Sequence, residues 1–291
     1  MAPDAPRDPR LDHDLPPLGG MATVERLDEV TVRVLAPNPS PMTLDGTCTY
    51  VLASPGAGEA IVVDPGPDHP DHLARVEHVL ADADAACTLV AVTHRHHDHT
   101  EAAAGWATAW GATLVAPDPT TAGTAGRVVT DGDVLAVAGI GVTAVATPGH
   151  TSDHTAYRLP TGALLVGDHV LGRGTSVVAH PDGDLLAYLD SLRTVLDLGP
   201  DALYPGHGPA LTEDPGAVLR FYLEHRAHRE AQVLGALAAG ATTPRAVVEA
   251  VYADVDRRLW DAAEASTRAA IDKLAAEGRV AVLGDRVEVR S

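Results

Sequence analysis

A layered α/β domain followed by a small winged-helix-like module is the fold that three features of the 291-residue sequence predict. Short β-branched runs alternate with helical spacing as far as residue 217, which is typical of sheets covered by helices. From Val218 onward, helix-forming sequence dominates and two short alternating runs follow it. The chain is also 45% hydrophobic, enough to build a sizeable core. We therefore expect a main domain over residues 21–217 and a C-terminal module over residues 218–291.

The first twenty residues, MAPDAPRDPRLDHDLPPLGG, are rich in proline and aspartate. Because this segment has no apolar centre, it does not resemble an ordinary secretory signal, and we predict a disordered tail over residues 1–20. Nowhere does the sequence approach the roughly 18 consecutive apolar residues that cross a bilayer. These observations favour a cytoplasmic protein with no membrane partner.

The main domain is predicted from short runs of two kinds. Alternating or β-branched runs indicate strands, and apolar residues at helical spacing indicate helices. Strands are expected over residues 30–35, 47–53, 60–64, 89–93, 113–116, 134–137, 142–146, 155–159, 163–166 and 202–204. Helices are expected over residues 72–82, 100–110 and 185–198. This mixture is typical of a sheet-and-helix domain with layers.

The C-terminal module has the element order of a winged helix. Helices are expected over residues 218–239, 243–252 and 257–277, and a β-hairpin over residues 279–290. The second helix has a clear start signal, with Thr243 as N-cap and Pro244 in the first turn. Three helices followed by a hairpin predict a small winged-helix-like fold.

Residues 93–100 read T-H-R-H-H-D-H-T, with four histidines and an aspartate at the end of a predicted buried strand. Imidazole and carboxylate groups are ligands for zinc, iron and other transition metals. If the backbone stays extended, His94 and His96 point the same way, whereas Asp98 and His99 turn toward a neighbouring position. The loop therefore offers ligands to two adjacent ions. Taken alone, the motif also allows a polar surface loop.

Three later segments place further candidate ligands after apolar runs: T-P-G-His150, L-V-G-Asp168 and Y-P-G-His207. In each, glycine directly precedes the candidate, which suits a close backbone approach and a sharp bend. Loops at one edge of a sheet are the usual place for catalytic groups. The combined order, H-x-H-x-D-H and then His, Asp and His, favours a metal site over a surface loop.

This combination of motifs resembles the metallo-β-lactamase superfamily over about residues 22–215. The resemblance implies a four-layer αββα sandwich and a dinuclear site with two divalent metal ions, most simply Zn²⁺. The implied ligands are His94, His96 and His150 for one ion, Asp98, His99 and His207 for the other, and Asp168 between them. Asp64, in the motif V-V-D-P-G, matches a family position that supports the ligands without binding metal.

A narrower likeness is to the β-lactamase-like protein 2 group. The matching segments are residues 38–50, 147–154 and 204–209 and the helical tail that begins near His225. Animal members of that group are mitochondrial single-strand endoribonucleases, fungal relatives are thioesterases acting on carrier-bound polyketides, and the group ends in a winged-helix-like domain. This chain has Cys48 where the group usually has Asn, and Glu101-Ala102 where Gly-Gly is common. Both departures are expected near the pocket, where they would affect substrate choice.

The resemblance implies a hydrolase in which a hydroxide that bridges two metal ions attacks a carbonyl carbon or a phosphorus. We expect Asp98 to orient this nucleophile as well as to bind metal, and Asp64 to accept an N–H from a ligand imidazole. His154 is a second catalytic candidate, since it follows His150 by four residues and is placed to contact substrate or donate a proton. Simple local hydrogen bonding is the alternative for His154.

Charge separates the candidate substrates. Residues 226–291 hold ten basic and ten acidic residues, so the first 225 residues carry the whole net charge of −19. Because an RNA channel normally needs an electropositive track, we favour hydrolysis of a thioester, ester or lactone in a small-molecule or carrier-bound substrate. A single-strand endoribonuclease or phosphodiesterase, with RNA as partner, is the alternative. A nucleic-acid-binding regulator is a third hypothesis, and a homodimer through the C-terminal module is also considered.

The remaining histidines and aromatic residues have no partner pattern. His97 is expected to face away from the site by alternation. A surface position is expected for His69, His72, His78, His169 and His180. Trp106 and Trp110, four residues apart on a predicted helix, are expected in the core. Cys48 and Cys87 form no metal motif and are expected to be free thiols, at least one of them buried.

Overall fold

Two β-sheets face each other in the computed structural model, which describes residues 5–290. The first sheet comprises β1 (Val24–Arg26), β2 (Thr31–Leu35), β3 (Cys48–Ala53), β4 (Glu59–Val63), β5 (Ala86–Ala91), β6 (Thr113–Ala116) and β7 (Arg127–Val128). These seven strands lie in sequence order. The second sheet comprises β8 (Val134–Val137), β9 (Ile140–Ala146), β10 (Thr155–Arg158), β11 (Leu164–Gly167) and β12 (Leu203–Pro205). Its strand order is β12-β11-β10-β9-β8.

Helices cover the outer face of each sheet. The first sheet carries α1 (Pro70–Asp82), α2 (His97–Thr100), α3 (Ala103–Trp110) and α4 (Pro119–Ala122). The second sheet carries α5 (Leu185–Asp197) and α6 (Pro215–Ala238). The order of layers is therefore helix, sheet, sheet, helix, as predicted. Among the described residues, no helix is both long enough and apolar enough to span a membrane.

Period-two alternation in the central strands places apolar side chains on both faces of the first sheet. In β3, Tyr50 and Leu52 point between the two sheets, whereas Val51 packs with the helices on the outer face. In β4, Ile61 belongs to the inner core and Val62 to the outer one. Since both faces are covered, these strands read as nearly continuous apolar runs.

The strand directions bring distant loops to one edge of the sandwich. β4, β5, β6 and β7 are parallel, so their carboxyl ends lie at the same edge. Asp64 directly follows β4, and the histidine-rich segment 93–100 follows β5. β11 and β12 are also parallel, and they lead directly into the loops of Asp168 and His207. Loops on such a rigid scaffold are well placed for function.

The C-terminal module shares a continuous apolar core with the main domain. It contains α7 (Pro244–Val251), α8 (Trp260–Ala276) and a hairpin of β13 (Val280–Leu283) and β14 (Arg286–Val289). The boundary predicted at residue 218 falls inside α6. Tyr222, in the first half of α6, and Leu237, near its end, belong to the same cluster as Leu192 of α5 and Val287 of β14. α6 therefore fastens the module to the second sheet.

The N-terminal segment corrects one sequence prediction. Residues 5–20 are not a disordered tail, and the first four residues of the predicted tail lie outside the described part of the chain. Arg10, in a short 3₁₀ helix (Pro9–Asp12), is 5% exposed. Its guanidinium donates to the carbonyl oxygens of Leu171 and Gly174 at 2.7 and 2.6 Å. Composition could not reveal this, because the partners of this buried arginine lie more than 160 positions away in the sequence.

The two cysteines and one of the two tryptophans considered from the sequence are buried in the core. Cys87 and Cys48 are both buried free thiols. Trp106 is 3% exposed, and Trp110 packs against it at the edge of the core with 5.3 Å between ring centroids. The sequence predictions for the cysteines and for Trp106 are confirmed.

Two histidines that were predicted to lie at the surface, His72 and His169, are instead fully buried. His72 Nε2 lies 2.8 Å from Thr49 Oγ1, whose own proton goes to the carbonyl oxygen of Asp64. His72 therefore donates to Thr49, a residue of another strand that no local pattern links to it. Burial, with a smaller contribution from Arg75, lowers the pKa of His72 to about 4.

Acid should lower the free energy of unfolding partly through His72. A histidine in the unfolded chain has a pKa near 6.5, whereas buried His72 takes up a proton only near pH 4. Between these values the unfolded chain binds more protons, so stability falls as the pH drops from about 6.5 to about 4. Below that window His72 causes no further loss. The difference between the two pKa values corresponds to roughly 3 kcal/mol.

Denaturant unfolding at pH values from 7 to 4 would measure this effect. His72→Gln keeps a donor for Thr49 but cannot titrate, so its stability should depend less steeply on pH than that of the wild type. The matched control is His78→Gln, at an exposed position on the same helix, which should keep the wild-type slope. Equal slopes for the wild type and His72→Gln would contradict the account.

Candidate metal centre

All seven predicted ligands converge at the edge of the sandwich where the strands end. They form two groups, and within each group the ligand atoms lie within 4.8 Å of one another. The first group is His94, His96, His150 and Asp168, and the second is Asp98, His99 and His207. The structure therefore brings together residues that are separated by up to 113 positions in the sequence.

In the first group, three ring nitrogens point at each other. His96 Nδ1 lies 2.9 Å from His94 Nε2 and 3.0 Å from His150 Nε2. One Nδ1 carries at most one proton, so it cannot donate to both neighbours. Asp168 Oδ2 lies 3.6 Å from His150 Nε2. This arrangement suits a cation, which can accept all these lone pairs at once.

In the second group, His99 Nε2 and His207 Nε2 are 3.3 Å apart. Asp98 Oδ2 lies 3.2 Å from His207 Nε2. Asp168 Oδ1 lies 3.5 Å from the His99 nitrogen and 3.4 Å from the His207 nitrogen, while its other oxygen faces His150 in the first group. Asp168 therefore lies between the two groups.

Hydrogen bonds behind the cluster determine which ring nitrogen carries the proton. The contacts are His99 Nδ1 to Asp64 Oδ2 at 2.9 Å, His150 Nδ1 to the Val177 carbonyl at 2.6 Å, and His207 Nδ1 to the Gly46 carbonyl at 3.3 Å. Carboxylate and carbonyl oxygens only accept, so each Nδ1 is the donor. In the neutral ring, Nε2 then keeps a lone pair directed into the cluster, which is the form that binds metal.

Asp64 orients ligands of both groups. Its backbone has a left-handed conformation with φ of 52°. Oδ1 accepts the backbone N–H of Thr93 at 2.7 Å, and Oδ2 accepts the Thr93 hydroxyl at 2.9 Å as well as His99. Because the Thr93 proton goes to Asp64, Thr93 Oγ1 accepts from His94 Nδ1 at 3.0 Å. The contact expected between Asp64 and a ligand imidazole is therefore present.

Electrostatics differ between the two groups. Burial lowers the pKa of three imidazoles of the first group: His94, His96 and His150. In the second group burial acts in the same direction, but Asp64 and Asp168 outweigh it and raise the pKa of His99. Burial likewise opposes the charge on His207, yet Asp168 raises its pKa to about 9. The first group thus presents neutral rings, and the second favours positive charge at its centre.

The donor set fits divalent metal ions. Imidazole nitrogen and carboxylate oxygen are common zinc ligands. Asp168 Oδ1 is buried and has no hydrogen-bond donor within residues 5–290. Leaving a buried carboxylate oxygen without a partner costs free energy, and a cation between the two groups would supply that partner.

Glycines before the ligands allow close packing, as the sequence indicated. A β-carbon at Gly206 would lie 2.5 Å from Asp168 Oδ1 and 2.7 Å from His99 Cε1. Gly149 has φ of 136°, and a β-carbon there would lie 2.3 Å from the Tyr188 Cα. Any other residue at these positions would displace a ligand or the helix behind it.

Several residues singled out from the sequence lie outside the cavity wall. His97 is exposed and faces Glu101 at 3.5 Å, as expected for a residue that points away. Glu101 is on the same outer surface, and Cys48 is fully buried with Sγ 3.5 Å from the Gly208 carbonyl. Neither side chain lines the cavity, although Cys48 lies beside the loop of His207, near the cluster as expected. Strand alternation turns Cys48 into the core between the sheets.

His154 lies beneath the cluster. It is 1% exposed, its ring centroid is 5.2 Å from that of His94, and Nδ1 lies 2.8 Å from Thr147 Oγ1. Burial lowers the pKa of His154 well below its usual range. This position corresponds to the local hydrogen-bonding alternative, and it leaves His154 without access to a substrate in the cavity.

A cavity of about 370 Å³ opens onto the cluster. Its remaining wall is formed by Met42, Val177, Ala179, His180, Pro181 and Asp182. No lysine or arginine of the described chain lines it. Sequence reasoning missed this wall, because the side chains lie in irregular loops where no periodic or ligand pattern distinguishes them.

His180 connects the cavity to the C-terminal module. It is exposed, as predicted, but its Nδ1 lies 2.7 Å from Asp272 Oδ2 on α8. The backbone N–H of His180 also donates to the carbonyl of Ala265 at 3.3 Å. The module therefore borders the mouth of the cavity.

Comparison with known proteins agrees with this geometry. The metallo-beta-lactamase superfamily matches residues 42–207, and the beta-lactamase associated winged helix domain matches residues 243–288. A beta-lactamase-like protein 2 homolog from Drosophila melanogaster is 33% identical, over 89% of this chain and 92% of the relative. An atrochrysone carboxyl ACP thioesterase from Aspergillus chevalieri is 34% identical, over 83% of this chain and 78% of the relative.

The crystal structure of a metallo-beta-lactamase family protein from Thermus thermophilus is similar in fold. The TM-score is 0.73 at 24% identity, and the match covers 91% of this chain and all of that chain. The αββα sandwich and the winged-helix domain predicted from the sequence are both confirmed.

Asp64→Asn should weaken zinc binding by roughly tenfold to a hundredfold. Asparagine tolerates the left-handed backbone, but its amide cannot accept from both Thr93 and His99 as the carboxylate does. The His99 and His94 rings would then lose the partners that direct their Nε2 lone pairs inward. Competition with a chromophoric chelator would measure the affinity of the metal-free protein for Zn²⁺.

The matched control is Asp133→Asn. Asp133 accepts the backbone N–H and the hydroxyl of Thr130, the same pair of contacts that Asp64 makes with Thr93, but it lies away from the cluster. It should bind zinc like the wild type. Wild-type affinity in Asp64→Asn would show that this carboxylate does not support a metal site.

Proposed function

Since the chain belongs to the metallo-β-lactamase superfamily, we propose that it is a dinuclear metallo-hydrolase that cleaves the carbonyl bond of a thioester, ester or lactone. The single observation that carries the proposal is the convergence of five imidazoles and two carboxylates whose lone pairs face a common space. Structural imidazoles normally satisfy both nitrogens with donors or acceptors of the protein. The lone pairs of this cluster face one another, which a bound cation explains.

The proposed ligands divide as the two groups do. His94, His96 and His150 would hold one ion, Asp98, His99 and His207 the other, and Asp168 would contact both. Zinc is the favoured metal, because nitrogen-rich sites with carboxylates suit it. When bound, a pair of such ions lowers the pKa of a water molecule and polarises the carbonyl oxygen of the substrate.

Asp98 is the proposed residue that orients the attacking water. Burial would raise the pKa of Asp98, but the hydrogen bond from His207 and the charge of His99 lower it. The side chain is therefore a carboxylate near neutral pH and accepts hydrogen bonds only. The side chain is 34% exposed and lines the cavity. One carboxylate oxygen can therefore accept a hydrogen bond from the water while the other keeps its contact with His207 Nε2.

The cavity wall supports a substrate with an uncharged reacting group. Val177, Ala179 and Pro181 are apolar, and Met42 is 51% exposed at the cavity. Without a lysine or arginine in this wall, little would hold a phosphodiester backbone. The similarity to a protein named as an ACP thioesterase further favours an acyl thioester, either small or bound to a carrier.

We further propose that residues 21–217 form the catalytic domain and residues 218–291 a module that completes the substrate site. The two family matches, to residues 42–207 and 243–288, support this division. α6 belongs to both parts, because its first half covers the second sheet and its second half packs in the module.

The metal-loaded protein should hydrolyse acyl thioesters in a turnover screen that also includes lactones, single-stranded RNA and bis(p-nitrophenyl) phosphate. Asp98→Ala should lower kcat by roughly a hundredfold or more, because the variant loses both a ligand and the group that orients water. Prolonged dialysis against a chelator should abolish turnover, and added Zn²⁺ should restore it. For the thioesters, the rate of hydrolysis is measured by the absorbance that reports the released thiol.

Asp182→Asn serves as the control, since Asp182 is a carboxylate of the same cavity wall that belongs to neither ligand group. It should keep turnover within a few-fold of the wild type. Cleavage of RNA without cleavage of any thioester, ester or lactone would reject the carbonyl chemistry. Activity that survives both metal removal and Asp98→Ala would reject the metallo-hydrolase mechanism.

A further inference from the structure

A second cleft, of about 270 Å³, adjoins the metal cavity. Met42 and Val177 line both spaces. One side of the cleft is the loop of residues 175–177 in the main domain, and the other side is built by α6, the end of α7 and α8. A ligand at the metal cluster that extends past Val177 would therefore enter a space enclosed by the C-terminal module.

Two arginines one helical turn apart on α6, Arg226 and Arg229, line this cleft. The Arg229 guanidinium stacks on the ring of Tyr252 at 4.8 Å and donates to Gln232 Oε1 at 2.9 Å. Arg226 donates to the carbonyl of Ser176. Within residues 5–290, neither arginine forms an ion pair with a carboxylate.

Carboxylates outnumber cations in this chain, which has 40 acidic and only 21 basic residues. Three other cations on and around α6 form such pairs: Arg220 with Asp214, Arg245 with Glu264, and Arg279 with Glu230. Two half-buried guanidinium groups without a counter-charge favour an anionic group from outside the chain, since a fork of N–H donors matches the geometry of carboxylate and phosphate.

Adjacent carbonyl groups connect the arginines to the metal cluster. The Ser176 carbonyl accepts from Arg226, and the Val177 carbonyl accepts from His150 Nδ1 at 2.6 Å. The arginine and the ligand imidazole therefore hold neighbouring residues of one loop. An anion at the arginines would lie within reach of the same small molecule whose carbonyl group is at the cluster.

The remaining lining of the cleft is mostly apolar, with Thr175, Ser176 and Ser266 as neutral polar side chains, and it carries no acidic side chain of the described chain. Tyr252, Val255 and Leu259 form one wall. Burial first, and then the charges of Arg226 and Arg229, lower the pKa of His225 to about 4, so His225 stays neutral and leaves the positive charge to the arginines. A mostly apolar cleft that contains two arginines suits an alkyl or aromatic chain that carries an oxyanion.

We propose that this cleft binds a carboxylate or phosphate group carried by the substrate at a distance from its scissile carbonyl, with Arg229 as the residue that contacts the oxyanion. The inference rests on the proposed hydrolase function and adds the class of substrate. Arg226 is a positioning residue, because its contact with Ser176 holds the loop that separates cleft and cluster. The substrate is thus an anionic acyl thioester or ester, recognised at both ends.

Three thioesters that share a six-carbon acyl chain would test this proposal. Hexanoyl-N-acetylcysteamine is neutral, adipoyl-N-acetylcysteamine adds a carboxylate at the acyl end, and hexanoyl-4′-phosphopantetheine adds a phosphate on the thiol side. For the wild type, one charged substrate should have a KM about tenfold or more below that of the neutral one, as a charge-assisted hydrogen bond would give. Which of the two it is identifies the oxyanion.

Arg229→Gln should remove this preference by raising the KM of the charged thioester toward that of the neutral one, which has no oxyanion for Arg229 to contact. Arg229→Lys keeps the charge but loses the planar fork, so it should retain part of the preference. Arg220→Gln, at an exposed arginine on the same helix, is the matched control and should behave like the wild type. If the charged and the neutral thioesters had equal KM values, both in the wild type and in Arg229→Gln, the proposal would be overturned while the hydrolase function stands.

Calorimetric titration of the metal-loaded protein with adipate and with 4′-phosphopantetheine tests the cleft without turnover. If the wild type binds one of these anions and Arg229→Gln weakens that binding about tenfold or more, the anion site is supported. If the same protein cleaves no thioester, the proposed function is rejected while the anion site stands. Binding that is the same in the wild type and Arg229→Gln would overturn the site. Arg229-dependent binding of a single-stranded oligoribonucleotide, with neither small anion bound, would overturn it in favour of RNA.

Discussion

One carboxylate, that of Asp64, connects the first sheet to both halves of the metal centre. It accepts from Thr93 and His99, and through Thr93 it fixes the ring of His94. Because β4 and β5 are parallel neighbours, Asp64 and the histidine-rich segment leave the sheet side by side. Strand pairing therefore determines how the His94 and His99 rings are oriented. The orientation of these rings in turn directs their Nε2 lone pairs into the site.

The second constraint is close packing behind the ligands. Asp168 and His207 come from parallel strands of the other sheet, and Gly206 lets them approach His99 across the edge of the sandwich. Asp168 has oxygens directed at both groups of ligands. Burial keeps the imidazoles of the first group neutral, while carboxylates draw positive charge into the second. The two groups of side chains therefore differ in their electrostatics although they lie side by side.

The side chains of the cluster and the layers were predictable because each depends on short-range pattern. Strand alternation, helical spacing and glycine before each proposed ligand are local, and the order of the motifs located the seven side chains that converge in the cluster. The buried positions of His72 and Arg10 were not predictable, because their partners, Thr49 and the carbonyl of Leu171, lie far away in the sequence. The direction in which Cys48 points, into the core between the sheets, depends on strand register, which no local pattern determines. In the sequence, Arg226 and Arg229 are typical of an exposed helix surface. Only the fold shows that they lie in a cleft next to the metal cavity.

The most direct test of the central claim is anomalous diffraction from crystals of the zinc-loaded protein, recorded on both sides of the zinc absorption edge. Two peaks are predicted, one bounded by His94, His96 and His150 and the other by Asp98, His99 and His207, with Asp168 between them. A single peak, or zinc bound elsewhere while this cluster stays empty, would contradict a dinuclear centre built from these residues.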